Sequence, residues 1–201
     1  MSASREARLE PSSRKAAGHA FSAGGAQFAL ERFSEGDADC MLGWVKTPAD
    51  LHRLAPKTSW PLTVEKIMGW STPGCEAYVL RQASGRSAGV IGYGEVNWLP
   101  GARGQAWLGH IIVDPARRGR GLGCLLVQDL LEQAFYQRQA KSVCLIVFPD
   151  NKPAVECYRR VGFREVGEEK HRCSNRGTYE ILSRFEMTRA EFDAAGLHLS
   201  G

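Results

Sequence analysis

Three arginines and three glycines crowd residues 117–123: Arg117, Arg118, Gly119, Arg120, Gly121 and Gly123. That composition could hold a diphosphate. Glycine adopts positive φ freely and lets a ligand approach the backbone closely. A helix beginning there would offer unpaired N–H groups and partial positive charge, to which the arginines add full charge. Other chemistry-bearing residues lie nearby in sequence. Asn151 and Tyr158 stand seven positions apart, almost two helical turns or roughly 10 Å along one face, so both can point into one cleft. A phenol with an ordinary pKa of about 10 keeps its proton at neutral pH and can act as a general acid. Glu95 in GYGEVN and His110 in LGHIIV are candidate bases. A polar residue in so apolar a strand as the latter is costly unless partnered, so a structural histidine bonded to a neighbour meets the same need.

Those residues need elements to position them. Leu108–Val113 reads as a buried strand, 114–121 as a turn, and the following segment to about Ala140 as an amphipathic helix. Leu122, Leu125, Leu126, Leu130, Leu131, Ala134 and Phe135 recur by threes and fours, the helical period. Ser142–Phe148 (SVCLIVF) is continuously apolar, as for a strand covered on both faces. Strand, crossover helix and strand imply a parallel pair with a right-handed connection. Asn151 is a good cap for a helix through Val161, Pro153 suits its first turn, and Gly162 suits a left-handed exit.

Upstream, Gln27–Phe33 reads as a first strand and Asp37–Val45 as a short helix capped by Asp37. Pro48, Pro56 and Pro61 break residues 46–70 into pieces, leaving a second short helix around Thr63–Trp70. Glu76–Gln82 and Ala88–Asn97 form a hairpin through ASGRS, and LPGARG turns into Gln105–Val113. Phe163–Glu169 and Tyr179–Met187 close the sheet around the polar loop KHRCSNRG. The expectation is one α/β (α+β) domain over 26–190, with a mixed, mostly antiparallel sheet. Residues 1–25 are expected to be a disordered tail and 191–201 a C-terminal tail.

Composition narrows the function. At 201 residues and 43% hydrophobic, one domain can bury a sizeable core. No apolar run reaches the roughly 18 residues of a membrane span, and the first residues lack the apolar centre of a signal peptide. The net charge of +4 comes without a basic run interleaved with aromatics, which favours a small anionic ligand over nucleic acid. Cys40, Cys75, Cys124, Cys144, Cys157 and Cys173 show no C-x-x-C or zinc spacing, so buried reduced thiols in a cytoplasmic protein are expected. Two nucleotide folds fail on residues. A P-loop needs Lys-Ser/Thr after its last glycine, whereas Cys124-Leu125 follows Gly123. A dinucleotide fingerprint counted from Gly119 needs Gly or Ala at Cys124.

Arg118-Gly119-Arg120-Gly121-Leu122-Gly123 matches R-x-x-G-x-G. Val113-Asp114-Pro115 precedes it as V-x-P, and Asn151, Ala154, Tyr158, Gly162 and Phe163 match N-x-x-A-x-x-x-Y-x-x-x-G-F. In order and spacing the chain resembles the GNAT N-acetyltransferase superfamily, with bacterial members in view. The resemblance implies acetyl transfer from acetyl-CoA to an amine by direct attack in a ternary complex, without metal. A non-catalytic acyl-CoA-sensing module is the alternative. It implies that the strand before the turn and the strand after the helix splay apart around the pantetheine arm. Backbone N–H groups of Ile111, Ile112 and Val113 would hold that arm and the thioester oxygen, as an oxyanion hole does. Arg118, Gly119, Arg120, Gly121, Leu122, Gly123 and Cys124 would take the diphosphate, with Asn151 as a further coenzyme contact. Tyr158 would be the acid toward the departing thiolate, or simply a packing residue in an apolar stripe. Family members often supply a Glu base from a central strand, and the strand 143–148 has none here. Glu95, His110 or loss of the proton through water remain open as the route. The acceptor, a small-molecule or peptide amine, would be walled by 46–70 and 170–178, with His52, Trp60 and Trp70 as candidate liners. No nucleic-acid or membrane partner is implied, and the chain would be a monomer or homodimer.

Overall fold

The computed structural model describes residues 20–23, 26–83, 89–98, 101, 104–173 and 178–196. The expected tail at 1–19, the tip of the ASGRS link, most of LPGARG, the loop tip at 174–177 and residues 197–201 lie outside the described residues. Among the described residues eight strands form one sheet in the order β1-β2-β3-β4-β5-β6-β8-β7. They are β1 (Ala20–Ala23), β2 (Ala26–Arg32), β3 (Cys75–Gln82), β4 (Gly89–Trp98), β5 (Gln105–Val113), β6 (Ser142–Val147), β7 (Arg164–Cys173) and β8 (Thr178–Thr188). Among the described residues every neighbouring pair is antiparallel except β5 and β6, which run parallel. The α/β class and mixed sheet are as the pattern predicts.

The helices are α1 (Ala38–Trp44), α2 (Pro48–Leu54), α3 (Val64–Met68), α4 (Leu122–Glu132), α5 (Lys152–Val161) and α6 (Arg189–Ala194). Two cores result. One cluster joins Leu126, Leu130, Val155, Val161 and Phe192 to Leu80, Leu108 and Phe185. The other joins Met41, Leu51 and Ile67 to Val79, Tyr93 and Ile112. Emptying either core at a buried leucine, Leu130 or Leu51, removes about 2–5 kcal/mol. α4 sits very close to β4 because Gly94 has no side chain. A Cβ there would lie 2.6 Å from Leu130 Cδ1.

Several expectations are corrected. The long helix ends at Glu132 and leaves through one π turn, Gln133–Gln137, rather than running straight to Ala140. Asp37 does not cap with its side chain. Its carboxylate instead accepts from Ser34 N and Oγ one turn earlier, closing a capping box. α2, unforeseen among the prolines, starts on a Thr47–Asp50 capping box with Pro48 in the first turn. The first half of the loop expected at 170–177 is strand, since β7 continues to Cys173. The folded unit also exceeds 26–190. β1 pairs with β2, and α6, opened by a Thr188–Glu191 capping box, buries Phe192 completely. None of the six thiols is in a disulfide, but only those of Cys144 and Cys173 are buried.

Candidate active site between the parted strands

β5 and β6 pair only at their beginnings. The register joins Gln105 to Ser142, Ala106 to Val143 and Trp107 to Cys144, and there it stops. β5 continues to Val113 and β6 to Val147 without touching as partners. Backbone N–H and C=O groups inside a fold are rarely left unpaired, so two facing, unpaired edges make a slot for an extended ligand with amides of its own. A cavity of about 910 Å³ opens there, lined by Leu108–Ile111 on one side and Leu145–Phe148 on the other.

The side chains aimed into the cavity come from a bulge. On β4, Tyr93 opposes Ile112 and Glu95 opposes Gly109, so Gly94 alone faces His110 and Ile111. Two residues against one kink the strand and re-aim a side chain. His110 takes φ +46°, uncommon for any residue but glycine, although histidine is among those that tolerate it. It turns its ring toward Glu95, with Nδ1 2.8 Å from Oε2. Trp70 stacks on the ring at 4.2 Å and is itself held by donating Nε1–H to Thr58 Oγ1 at 2.9 Å.

Glu95 is only 2% exposed, and a carboxylate so placed requires partners. Tyr93 donates its hydroxyl at 2.6 Å, Asn97 donates Nδ2–H at 3.3 Å, and His110 completes the set. Burial pushes the Glu95 carboxyl up, but the hydrogen bond and charge of His110, with Tyr93 and Asn97, outweigh it and hold the group below its ordinary value. Burial, then the neighbouring carboxylate, push the Tyr93 phenol well up, so it remains a donor. An ionised Glu95 accepts from Nδ1–H, which leaves Nε2 as the basic nitrogen. Nε2 has no protein partner among the described residues, and the side chain is 27% exposed.

Tyr158 and Asn151 line the same cavity from α5. Asn151 stands at the helix start, but its side chain makes no capping bond, contrary to the expectation, so its amide can turn to the cavity. Tyr158 packs against Phe163 and Phe185, with centroids at 6.1 and 6.2 Å. Burial, with the nearby Cys157 thiol, raises its pKa and keeps the phenol protonated.

The glycine turn lies beyond this cavity. Val113 and residues 118–124 do not line it, and Ile112 turns its side chain into the second core. Gly119 and Gly121 have φ +76° and +78° with open space around them. Gly121 starts α4 with no side-chain cap, leaving the first N–H groups of Leu122, Gly123 and Cys124 available. Arg120 is exposed. Arg118 is exposed too and reaches Val113 O at 3.3 Å. Arg117 is tied down by Asp114 and by Gln82 at 2.8 Å. Of the expected acceptor-wall residues, Trp70 lines the cavity whereas Trp60 and His52 do not. Arg53–Lys57, Glu169, His171 and Arg184 complete the lining there. Tyr93 and Asn97 escaped the sequence reading, although they alternate with Glu95 at the two-residue strand period.

A family model described as Acetyltransferase (GNAT) family matches residues 44–163. The chain is 34% identical over 142 residues to a mycothiol acetyltransferase of Clavibacter sepedonicus, covering 69% of this chain and 43% of that protein. It is 39% identical over 84 residues to the N-alpha-acetyltransferase RimI of Mycobacterium tuberculosis, covering 41% and 51% respectively. The chain spans less than half the length of the first curated relatives it matches. Its fold superimposes on a spermidine N-acetyltransferase from Vibrio cholerae in complex with CoA and spermine, with TM-score 0.67 and 18% identity. That match covers 82% of this chain and 97% of the other. The parted β5 and β6, the glycine turn and the family match agree: this chain belongs to the GNAT acetyltransferase family.

Proposed function

We propose that the chain transfers the acetyl group of acetyl-CoA to an amine. The observation that carries this reading is the parting of β5 from β6 beyond Trp107 and Cys144, with His110, Asn151 and Tyr158 facing the gap. The N-terminus of α4 and Arg118 and Arg120 hold the diphosphate, and the free edges of β5 and β6 hold the pantetheine amides. A backbone N–H of the bulge at 110–112 stabilises charge on the thioester oxygen. His110 takes the proton from the incoming ammonium through Nε2, directly or through one water, while Glu95 fixes the ring and balances the charge it gains. Tyr158 gives its proton to the sulfur that leaves, and the second proton shed by the nitrogen as the amide forms restores the phenol. No covalent acyl-enzyme and no metal enter this sequence.

The acceptor end sets Arg53, Lys57 and Arg184 against Glu95 and Glu169. Glu95 is committed to His110, Glu169 to Arg184 at 3.0 Å and Arg53 to Asp150 at 2.8 Å, so neither lining carboxylate is spare for a polycation. That balance suits an amine carrying at most one or two positive charges, such as a peptide N-terminus or an amino sugar, better than a polyamine. The test is release of CoA thiol from acetyl-CoA across a panel of such amines, with spermidine included. Turnover on a mono-amine above that on spermidine is expected. Binding of acetyl-CoA without thiol release on any amine would leave the sensing module as the reading.

A further inference from the structure

We propose that His52, Cys173 and Glu180 form a site for a divalent cation of the zinc class, outside the acetyl-transfer cavity. The three come from α2, β7 and β8, and one ligand atom of each lies within 4.8 Å of the others. An imidazole, a thiol and a carboxylate suit a borderline-soft dication, which with a water would be four-coordinate. Cys173 is fully buried, while the side chains of His52 and Glu180 are 12% and 27% exposed, so the cluster is closed on most sides and open to one water. None of the three lines the acetyl-transfer cavity.

In the present arrangement protons stand where a cation would. Glu180 Oε2 lies 2.9 Å from His52 Nε2 and accepts from Cys173 Sγ at 3.5 Å. Ligands around a tetrahedral zinc stand about 3.3–3.6 Å apart, given bond lengths of about 2.0–2.3 Å. The donors therefore need to move by a fraction of an ångström to about 1 Å. Among the described residues His52 Nδ1 is buried without a hydrogen-bond partner. Glu180 now holds the imidazole proton on Nε2; when a cation takes the place of that hydrogen bond the proton moves to Nδ1, where no other group competes, and leaves the Nε2 lone pair for the metal. The cation displaces the thiol proton, which leaves to solvent, and its double charge is cancelled by one thiolate and one carboxylate.

The site's position gives it a role. α2 has seven residues, too few to hold helical form unaided, and Arg53–Ala55 beside His52 line the acceptor end of the cavity. The His52 ring also packs against Phe148, with centroids 5.2 Å apart, and Phe148 is another lining residue. A cation here would fasten the acceptor wall to the β7–β8 hairpin. It is structural, with no part in the acetyl-transfer step.

The experiment is a cobalt(II) titration of the full chain after chelator treatment and removal of the chelator, read by the thiolate-to-cobalt charge-transfer absorbance. One equivalent of cobalt per chain is expected, displaced by zinc, with a rise in melting temperature on zinc addition. Cys173→Ser must lose the band, Glu180→Gln must weaken binding, and Cys157→Ser must retain both. Glu180 is partly exposed, so its variant decides the matter if Cys173→Ser fails to fold by circular dichroism. A folded wild-type chain that gives no band overturns the proposal, as does a band that survives in Cys173→Ser or unweakened binding in Glu180→Gln.

Discussion

The two halves of the proposed site are built by different means. Where the coenzyme is proposed to lie the groups belong to the backbone: the free edges of β5 and β6 at the cavity and, beyond it, the positive-φ glycines and the first turn of α4. At the acceptor end they are side chains, drawn from α2, α3's exit, β4, β5, β7 and β8. A backbone site tolerates varied side chains, requires only glycine where φ is positive, and is written in consecutive residues. A side-chain site depends on distant elements meeting, and each residue in it answers to a partner. Glu95 is held by three, and His110 by the bulge, the carboxylate and the Trp70 face.

This contrast can be broken by substitution. Tyr158→Phe should lower turnover by about 10²–10⁴-fold, the usual worth of a general acid, while coenzyme affinity stays within a factor of a few. Steady-state kinetics beside calorimetry separates the two. An equal loss of affinity would make Tyr158 part of the binding surface. His110→Gln should cost about 10²-fold in turnover, the usual worth of a general base. Glu95→Gln should cost less than His110→Gln, because the ring keeps its free nitrogen and loses only the carboxylate that orients it. Unchanged turnover in both variants would assign proton loss to water.

At the other end, Arg118→Ala with Arg120→Ala should weaken coenzyme binding by about tenfold and flatten its salt dependence, leaving saturated turnover unchanged. Turnover falling at saturation would mean the turn also aims the thioester. Asp129 belongs to neither end and serves as a control. It is 4% exposed, both its oxygens lack a hydrogen-bond partner among the described residues, and burial, with Glu132 beside it, pushes its carboxyl up to about 8 from 3.8. The folded state thus holds a proton that the unfolded chain has lost, so this residue's contribution to stability falls as pH rises between those values. Asp129→Asn should stabilise more at pH 8 than at pH 5, by on the order of 3 kcal/mol, in denaturant melts. Coenzyme affinity should not change.

The same contrast explains what the sequence made legible. The strand, turn and helix from Leu108 to Glu132, and the Asn151–Gly162 helix, follow from local period, glycine and caps, and so does the family. The parting of β5 from β6 was reachable only through the family resemblance, since nothing in SVCLIVF marks where pairing stops. His110 and Glu95 were visible as oddities, but the bulge that joins them depends on Gly94 facing two residues on another strand. α2 was missed because three prolines outweighed the Thr47–Asp50 capping box that starts it. Asn151 fits both a cap and a coenzyme contact by residue type, and its side chain makes no capping bond.

The central claim is that the gap between β5 and β6 holds the coenzyme arm and presents its thioester to His110 and Tyr158. A crystal structure of the acetyl-CoA complex tests it directly. The account predicts pantetheine between Gly109–Ile111 and Leu145–Val147, diphosphate at Gly119–Cys124, and sulfur within hydrogen-bond reach of Tyr158 Oη. Coenzyme bound elsewhere, or sulfur turned away from Tyr158 with the gap closed, would contradict it.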